Sequence, residues 1–242
     1  IAPTIWAWKK GRAKQIARDV RQVASIFPFE AEAYKKAGAP VTFVGHPLAD
    51  TVKTSMSFEE AMKYFGGQKD KKRILLMPGS RKNEVSGLLP VMLDACKLIS
   101  EKAECQFYLP KADTISDEFL KSFLSKHPEL SVTVTEGKQY DLMQICTACI
   151  ASSGTATLET ALMQLPTVLI YKLAPATWFI AKHVVEVKYA GLPNLLLQKE
   201  VTPELLQNQV TAENIASIIV PWITDEQIRV RNINELQEVR KR

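Results

Sequence analysis

A chain of 242 residues that is 46% hydrophobic has enough apolar side chains for one large or two small cores. That composition excludes a disordered or collagen-like protein, and no apolar run approaches the roughly 20 residues of a membrane-spanning helix. The net charge of +5 is accounted for by residues 1–40, where eight Lys and Arg stand against three Asp and Glu. Such a cluster fits either an anionic partner (phosphate, phospholipid surface or nucleic acid) or a solvated helix face.

The opening IAPTIWAWKKGR puts its apolar residues before its charges and has no cleavage-site pattern, so it does not read as a signal peptide. The chain is therefore expected to be cytosolic. It lacks an initiator Met, and ELQEVRKR stops inside a charged helical pattern, so a piece of a longer protein is expected. Residues 1–8 read as a strand and 9–24 as a helix with Ile16, Val20 and Val23 on one face. A short strand over 25–27 meets Pro28, which opens a helix ended by Gly38. Val41 to Val44 is a strand closed by Gly45-His46-Pro47. This βαβαβ pattern predicts a parallel sheet.

Residues 49–72 are polar, with Gly66-Gly67, a charged run and one helix over 58–65, and form the candidate boundary. A second βα series starts at Ile74. Strands are expected at 74–77, 105–109, 132–134, 149–151 and 168–170. Helices are expected from about 82 to 100, over 117–126 and 140–146, around Leu158, over 175–187 and over 203–222, the last with a candidate break near Thr211. Gly191 to Leu195 reads as a loop. Thr224 with Gln227 predicts a capping box for the final helix. The expected divisions are 1–48, 49–72, 73–202 and 203–242.

The segment from Ile150 to Tyr171 is the chemically informative one: strand, small hydroxylated turn, helix, strand. Ser153, Gly154, Thr155 and Ala156 would leave unpaired N–H groups at a helix start, where the dipole also favours an anion. Glu159, just over one turn inside, is placed to accept two hydrogen bonds from a ribose diol. An ordinary βαβ unit with small residues for close packing is the competing explanation. A second loop, Met77-Pro78-Gly79-Ser80-Arg81-Lys82-Asn83-Glu84, also follows a strand and opens a helix. Gly79 allows close approach, Ser80 can donate, and Arg81 offers a charged fork to a diphosphate. It is not a Walker A loop. Together the two loops describe a nucleoside diphosphate held between them. Cys146-Thr147-Ala148-Cys149 has CxxC spacing, but it runs into a buried strand with no second pair, and no metal site is expected.

APTIWAW, FPFE, VGHPLAD, LMPGSRKNEV, ASSGTATLE and GLPNLL, in that order, resemble the lipid-A-disaccharide synthase family along the whole chain. The resemblance implies an α/β, GT-B type fold with two Rossmann-like parallel-sheet domains, the N-terminal one incomplete. On that basis 1–48 would end the acceptor-side domain and 49–72 would link the domains. Residues 73–202 would bind UDP-sugar, and the helices of 203–242 would pack back across the interface. It implies transfer from UDP-2,3-diacylglucosamine to 2,3-diacylglucosamine 1-phosphate (lipid X), with inversion and no metal or other cofactor. The family's Gly-Glu-Ala-Ser-Gly-Asp segment, which carries the proposed base, is not in this sequence.

By the same resemblance Arg81 would neutralise charge on departing UDP, and Asn194 would orient the donor. Gly79, Ser80, Glu84, Ser153 to Ala156, Glu159 and Tyr171 would complete the UDP-sugar site, with Lys172 near the uracil or pyrophosphate. An anionic inner-membrane surface and a homodimer are further expected partners, with the enzyme cytoplasmic and peripheral. Nucleic acid is not expected. His46 is expected to be structural. Trp6, Trp8, Trp178 and Phe179 are expected in the core or a dimer contact. A UDP-GlcNAc 2-epimerase-like isomerase and a non-catalytic nucleotide-binding module remain as alternatives.

Overall fold

The computed structural model describes residue 2, residues 11–173 and residues 188–241. The strand expected over 1–8 (Ala2 apart), the helix expected over 175–187, and Trp6, Trp8, Trp178 and Phe179 lie outside them. The chain begins with α1 (Gly11–Asp19), β1 (Val23–Ser25), α2 (Pro28–Lys36) and β2 (Val41–Phe43). β1 and β2 run parallel, with Val23 opposite Val41. The helix expected over 9–24 therefore ends early, because Val23, Ser25 and Phe27 are buried in alternation and Val20 is exposed. A two-residue period is that of a strand. Pro28 sits in the first turn of α2, where a missing N–H costs nothing, and Gly38 follows at φ +79°. Ala13, Val23, Tyr34 and Ala39 form the core of this unit.

Two short helices follow, α3 (Leu48–Thr51) and α4 (Phe58–Tyr64). The larger unit then runs β3 (Lys72–Met77), α5 (Lys82–Ser100), β4 (Cys105–Pro110), α6 (Asp117–Leu124), β5 (Val132–Thr135), α7 (Gln139–Ile145), β6 (Ala148–Ser152), α8 (Thr155–Leu162) and β7 (Thr167–Tyr171). It closes with α9 (Leu192–Leu197), β8 (Glu204–Leu206), α10 (Ala212–Thr224) and α11 (Glu226–Arg240). Its six strands are all parallel, in the order β5-β4-β3-β6-β7-β8.

Three details differ from expectation. Residues 204–206 pair with β7 as an edge strand and are not helical. Gly191 to Leu195 is mostly helix α9. The cap of α11 is Asp225, whose carboxylate accepts from the N–H groups of Gln227 and Ile228, while the Thr224 hydroxyl donates back to Val220 O.

The sheet is buried on both faces, as all-parallel sheets are. Ile74, Leu76, Phe107, Leu109, Ile150 and Val168 point toward α5, α6 and α10. Leu75, Tyr108, Cys149 and Ala151 point the other way, toward Ala61, Met62 and Phe65 of the supposed linker and toward α7. Residues 49–72 are thus built into the second core. The Tyr108 hydroxyl donates to Phe65 O, and Gln106 joins Gln68 N and Gly66 O. A third cluster joins Phe27 and Val52 to Leu158, Leu162, Leu236 and Val239.

Asp141, only 3% exposed, ties the segment before α4 to α7. Its carboxylate accepts from Ser55 N–H (2.7 Å), Ser55 Oγ (2.7 Å) and Met56 N–H (2.8 Å). Burial pushes its pKa up, but those bonds and the charge of Lys138 outweigh it and hold the group below the usual carboxylate value. This stabilisation is present above the unfolded pKa of about 3.9 and is lost as pH falls through the lower folded value. Asp141→Ala is expected to cost about 3 kcal/mol in urea unfolding at pH 7. The gap from wild type should narrow below about pH 4; a gap unchanged down to pH 3 would contradict this role.

Candidate functional site

From β3 the chain moves outward to β4 and β5, then returns to the opposite side of β3 as β6. The loops leaving β3 and β6 therefore diverge at the carboxyl edge and open a crevice between them, the usual ligand position in such sheets. Register confirms the adjacency: Met77 lies opposite Ala151, and Ser152 opposite Ile170. Gly79, Ser80 and Arg81 form one lip. Ser153, Gly154, Thr155 and Ala156 form the other, and Tyr171 ends the next strand.

On the β6 lip, Gly154 has φ +150°, a conformation rare for residues with a side chain, and no side chain caps α8. Gly154 and Thr155 are exposed. The N–H groups of Thr155 and Ala156 have no helical acceptors and lie at the positive end of the dipole of α8, while Thr157 N–H donates to Gly154 O. Ser153 N–H donates to Ile170 O at 3.3 Å, anchoring the turn to β7. Glu159, one turn along, is half-buried. Its Oε1 accepts from Tyr140 Oη at 2.8 Å and Gln139 Nε2 at 3.1 Å, and its Oε2 accepts from no group among the described residues.

The β3 lip is closed on itself. Glu84 turns back so that its Oε2 accepts from the N–H groups of Ser80 (3.2 Å) and Arg81 (3.3 Å). Its Oε1 meets Arg81 Nη1 at 2.6 Å. Glu84, expected to contact UDP-sugar, caps the start of α5 internally, so its carboxylate already holds the loop's own donors. Gly79, at φ +112°, serves this cap: a Cβ there would lie 2.4 Å from Glu84 Oε2. The side chain of Arg81 stays 80% exposed beside the crevice.

The structure places Asn194, expected to orient a donor sugar, on the inner side of α9. It is fully buried, and all four of its hydrogen-bonding positions are used. Nδ2 donates to Thr202 O and Glu204 Oε1 (both 2.7 Å), and Oδ1 accepts from Val201 N (2.8 Å) and Thr202 N (2.9 Å). Glu204 also accepts from Ala190 N–H and Gly191 N–H, so it pins the start of α9. His46 accepts from Leu48 N–H through Nδ1 and lies 5.0 Å from the Phe27 ring. Burial lowers its pKa. With Phe27, Phe43 and Leu158 it lines a cavity of about 150 Å³ between the units. Burial raises the pKa of Cys146 and Cys149, so both stay thiols. Among the described residues no cluster of three His, Cys, Asp or Glu could hold a metal ion.

Gln139, Tyr140 and Glu204 went unnoticed in the sequence. The Tyr140–Glu159 contact spans 19 residues and follows no helical or strand period. Glu204 lay in a segment read as helix. Asn194→Ala should cost about 3 kcal/mol in thermal or urea unfolding, because it strands buried partners. A variant of wild-type stability would contradict the structural assignment.

The family model described as lipid-A-disaccharide synthetase matches residues 1–242. The chain is 44% identical over 226 residues to the lipid-A-disaccharide synthase of Geobacter metallireducens, covering 93% of this chain and 59% of that protein. It is 43% identical over 243 residues to the enzyme of that name from Trichlorobacter lovleyi, covering 100% of this chain and 63% of that protein. The chain thus spans 59 to 63% of the length of these relatives. Among solved structures it is similar to Anabaena Alr3699/HepE in complex with UDP-glucose, with TM-score 0.56 and 14% identity, covering 96% of this chain and 63% of that one. At that identity the likeness shows the fold alone, an α/β fold of GT-B type.

Proposed function

The chain belongs to the lipid-A-disaccharide synthetase family, and from that premise we propose that it supplies the nucleotide-sugar site for transfer of 2,3-diacylglucosamine from UDP-2,3-diacylglucosamine to 2,3-diacylglucosamine 1-phosphate. The acceptor 6-hydroxyl attacks the anomeric carbon, the bond to the UDP oxygen breaks, and a β-1,6 disaccharide 1-phosphate and UDP result. The hydroxyl proton passes to a base. We assign that base to the family's Gly-Glu-Ala-Ser-Gly-Asp segment, a sequence that residues 1–242 do not contain.

The observation that carries this proposal is the crevice between β3 and β6, with the uncapped start of α8 on one lip and exposed Arg81 on the other. The diphosphate lies on the N–H groups of residues 154–156, with the Ser153 hydroxyl beside them, since Ser153 N–H is held by Ile170 O. Glu159 accepts the ribose hydroxyls. Arg81 neutralises the charge developing on UDP, a term whose loss commonly costs about a hundredfold or more in rate. Tyr171, at the adjacent strand end, flanks the nucleotide. An isomerase would need acid–base partners here, yet among the described residues the two histidines lie elsewhere: His46 packs on Phe27, and His127 lies beside Asp94 and Glu129.

Arg12, Lys14, Arg18, Arg21, Lys35 and Lys36 are all exposed, which supports peripheral association with an anionic inner-membrane surface. No described helix is long and apolar enough to cross a membrane.

Calorimetric titration tests the nucleotide site. UDP should bind and ADP should not. Arg81→Ala and Glu159→Ala should each weaken UDP by about tenfold or more, the worth of one charge-assisted contact. Equal binding of UDP and ADP, or unchanged affinity in both variants, would sink the proposal.

A further inference from the structure

Glu159 does not stand alone at the crevice. Both hydrogen bonds to its Oε1 come from consecutive residues at the start of α7, Gln139 and Tyr140. That start is itself rigidly placed. Gly137 (φ +62°) and Lys138 (φ +48°) take two successive left-handed conformations, which swing the chain from β5 toward α8. One residue further, Asp141 fastens the same turn to Ser55 and Met56. Tyr140 is half-buried and packs against the clusters of both the sheet face and α8. Burial, and then the bond to Glu159, raise its phenol pKa, so it remains a donor at neutral pH.

We propose that Tyr140 and Gln139 are positioning residues that lock Glu159 with its Oε2 presented to both hydroxyls of a ribose diol, so that the site selects ribonucleotides over 2′-deoxyribonucleotides. This rests on the nucleotide assignment above. A carboxylate oxygen has two lone pairs. With those of Oε1 taken by α7, the two of Oε2 match two hydroxyls. A free Glu side chain would lose rotamer freedom on binding, whereas a held one has lost it already. The discrimination therefore depends on α7 as well as on Glu159.

The test is calorimetric titration of UDP and 2′-deoxy-UDP into wild type, Glu159→Gln, Tyr140→Phe and Gln139→Leu, with thermal melting as the folding check. Wild type should prefer UDP about tenfold, and Glu159→Gln should bring the ratio near one. Tyr140→Phe keeps the ring and its packing, yet should cut the ratio about three- to tenfold, chiefly by weakening UDP. Gln139→Leu should act in the same direction, and it provides the measurement if Tyr140→Phe does not fold. A loss equal for both nucleotides, or a wild-type ratio in both α7 variants, overturns the positioning role while leaving the nucleotide site standing. A wild type that does not bind UDP, or a Glu159→Gln variant that binds and discriminates as wild type does, overturns the nucleotide site and this inference with it.

Discussion

The structure depends on one topological constraint: an all-parallel sheet in which the chain leaves β3 to one side and returns as β6 on the other. Parallel strands put every carboxyl end at one edge, and the reversal separates two neighbouring loops there. The topology opens the crevice, and Gly79 and Gly154 let the two loops line it. Ser153, Gly154 and Thr155 on one side, and Gly79, Ser80 and Arg81 on the other, are brought together because hydrogen-bonded strands hold them there.

The two carboxylates at this edge do different work because their neighbours differ. Glu84 meets backbone donors and a guanidinium on its own turn, so it closes its loop. Glu159 meets two neutral donors from another helix, both on one oxygen, so it stays available on the other. A helix start that carries its own acid is satisfied without a ligand. The start of α8 carries none. The asymmetry of the crevice follows from that single difference.

The segment joining the two units is also part of the machinery. Asp141 holds Ser55 and Met56, and α4 closes one face of the sheet. The first turn of α7 therefore has two attachments, one to this segment and one to Glu159. Phe27 and Val52 meet α8 and α11 in a shared apolar cluster, so the smaller unit leans on the same helix that opens at the nucleotide lip.

The sequence by itself determined the βα rhythm, the two α/β units and the two small-residue loops, because apolar period and Gly/Pro punctuation are local properties of a chain. Its ordered motifs also pointed to the family that the comparisons then showed. Tertiary structure decided the remainder. Asn194 sits in a turn-like sequence, yet it is saturated by Val201 and Thr202 just before β8 and by Glu204 within it, and β8 pairs along the edge that β7 offers. Val23 falls on a helical face by spacing but pairs beside Val41. Glu84 was legible as an acid near a basic loop, but its direction depended on the empty space at Gly79. Tyr140 had no signature at all, since its contact with Glu159 exists only once α7 and α8 lie against each other. Local periodicity records which face of an element is buried; it does not record what that face, or its polar exceptions, will meet.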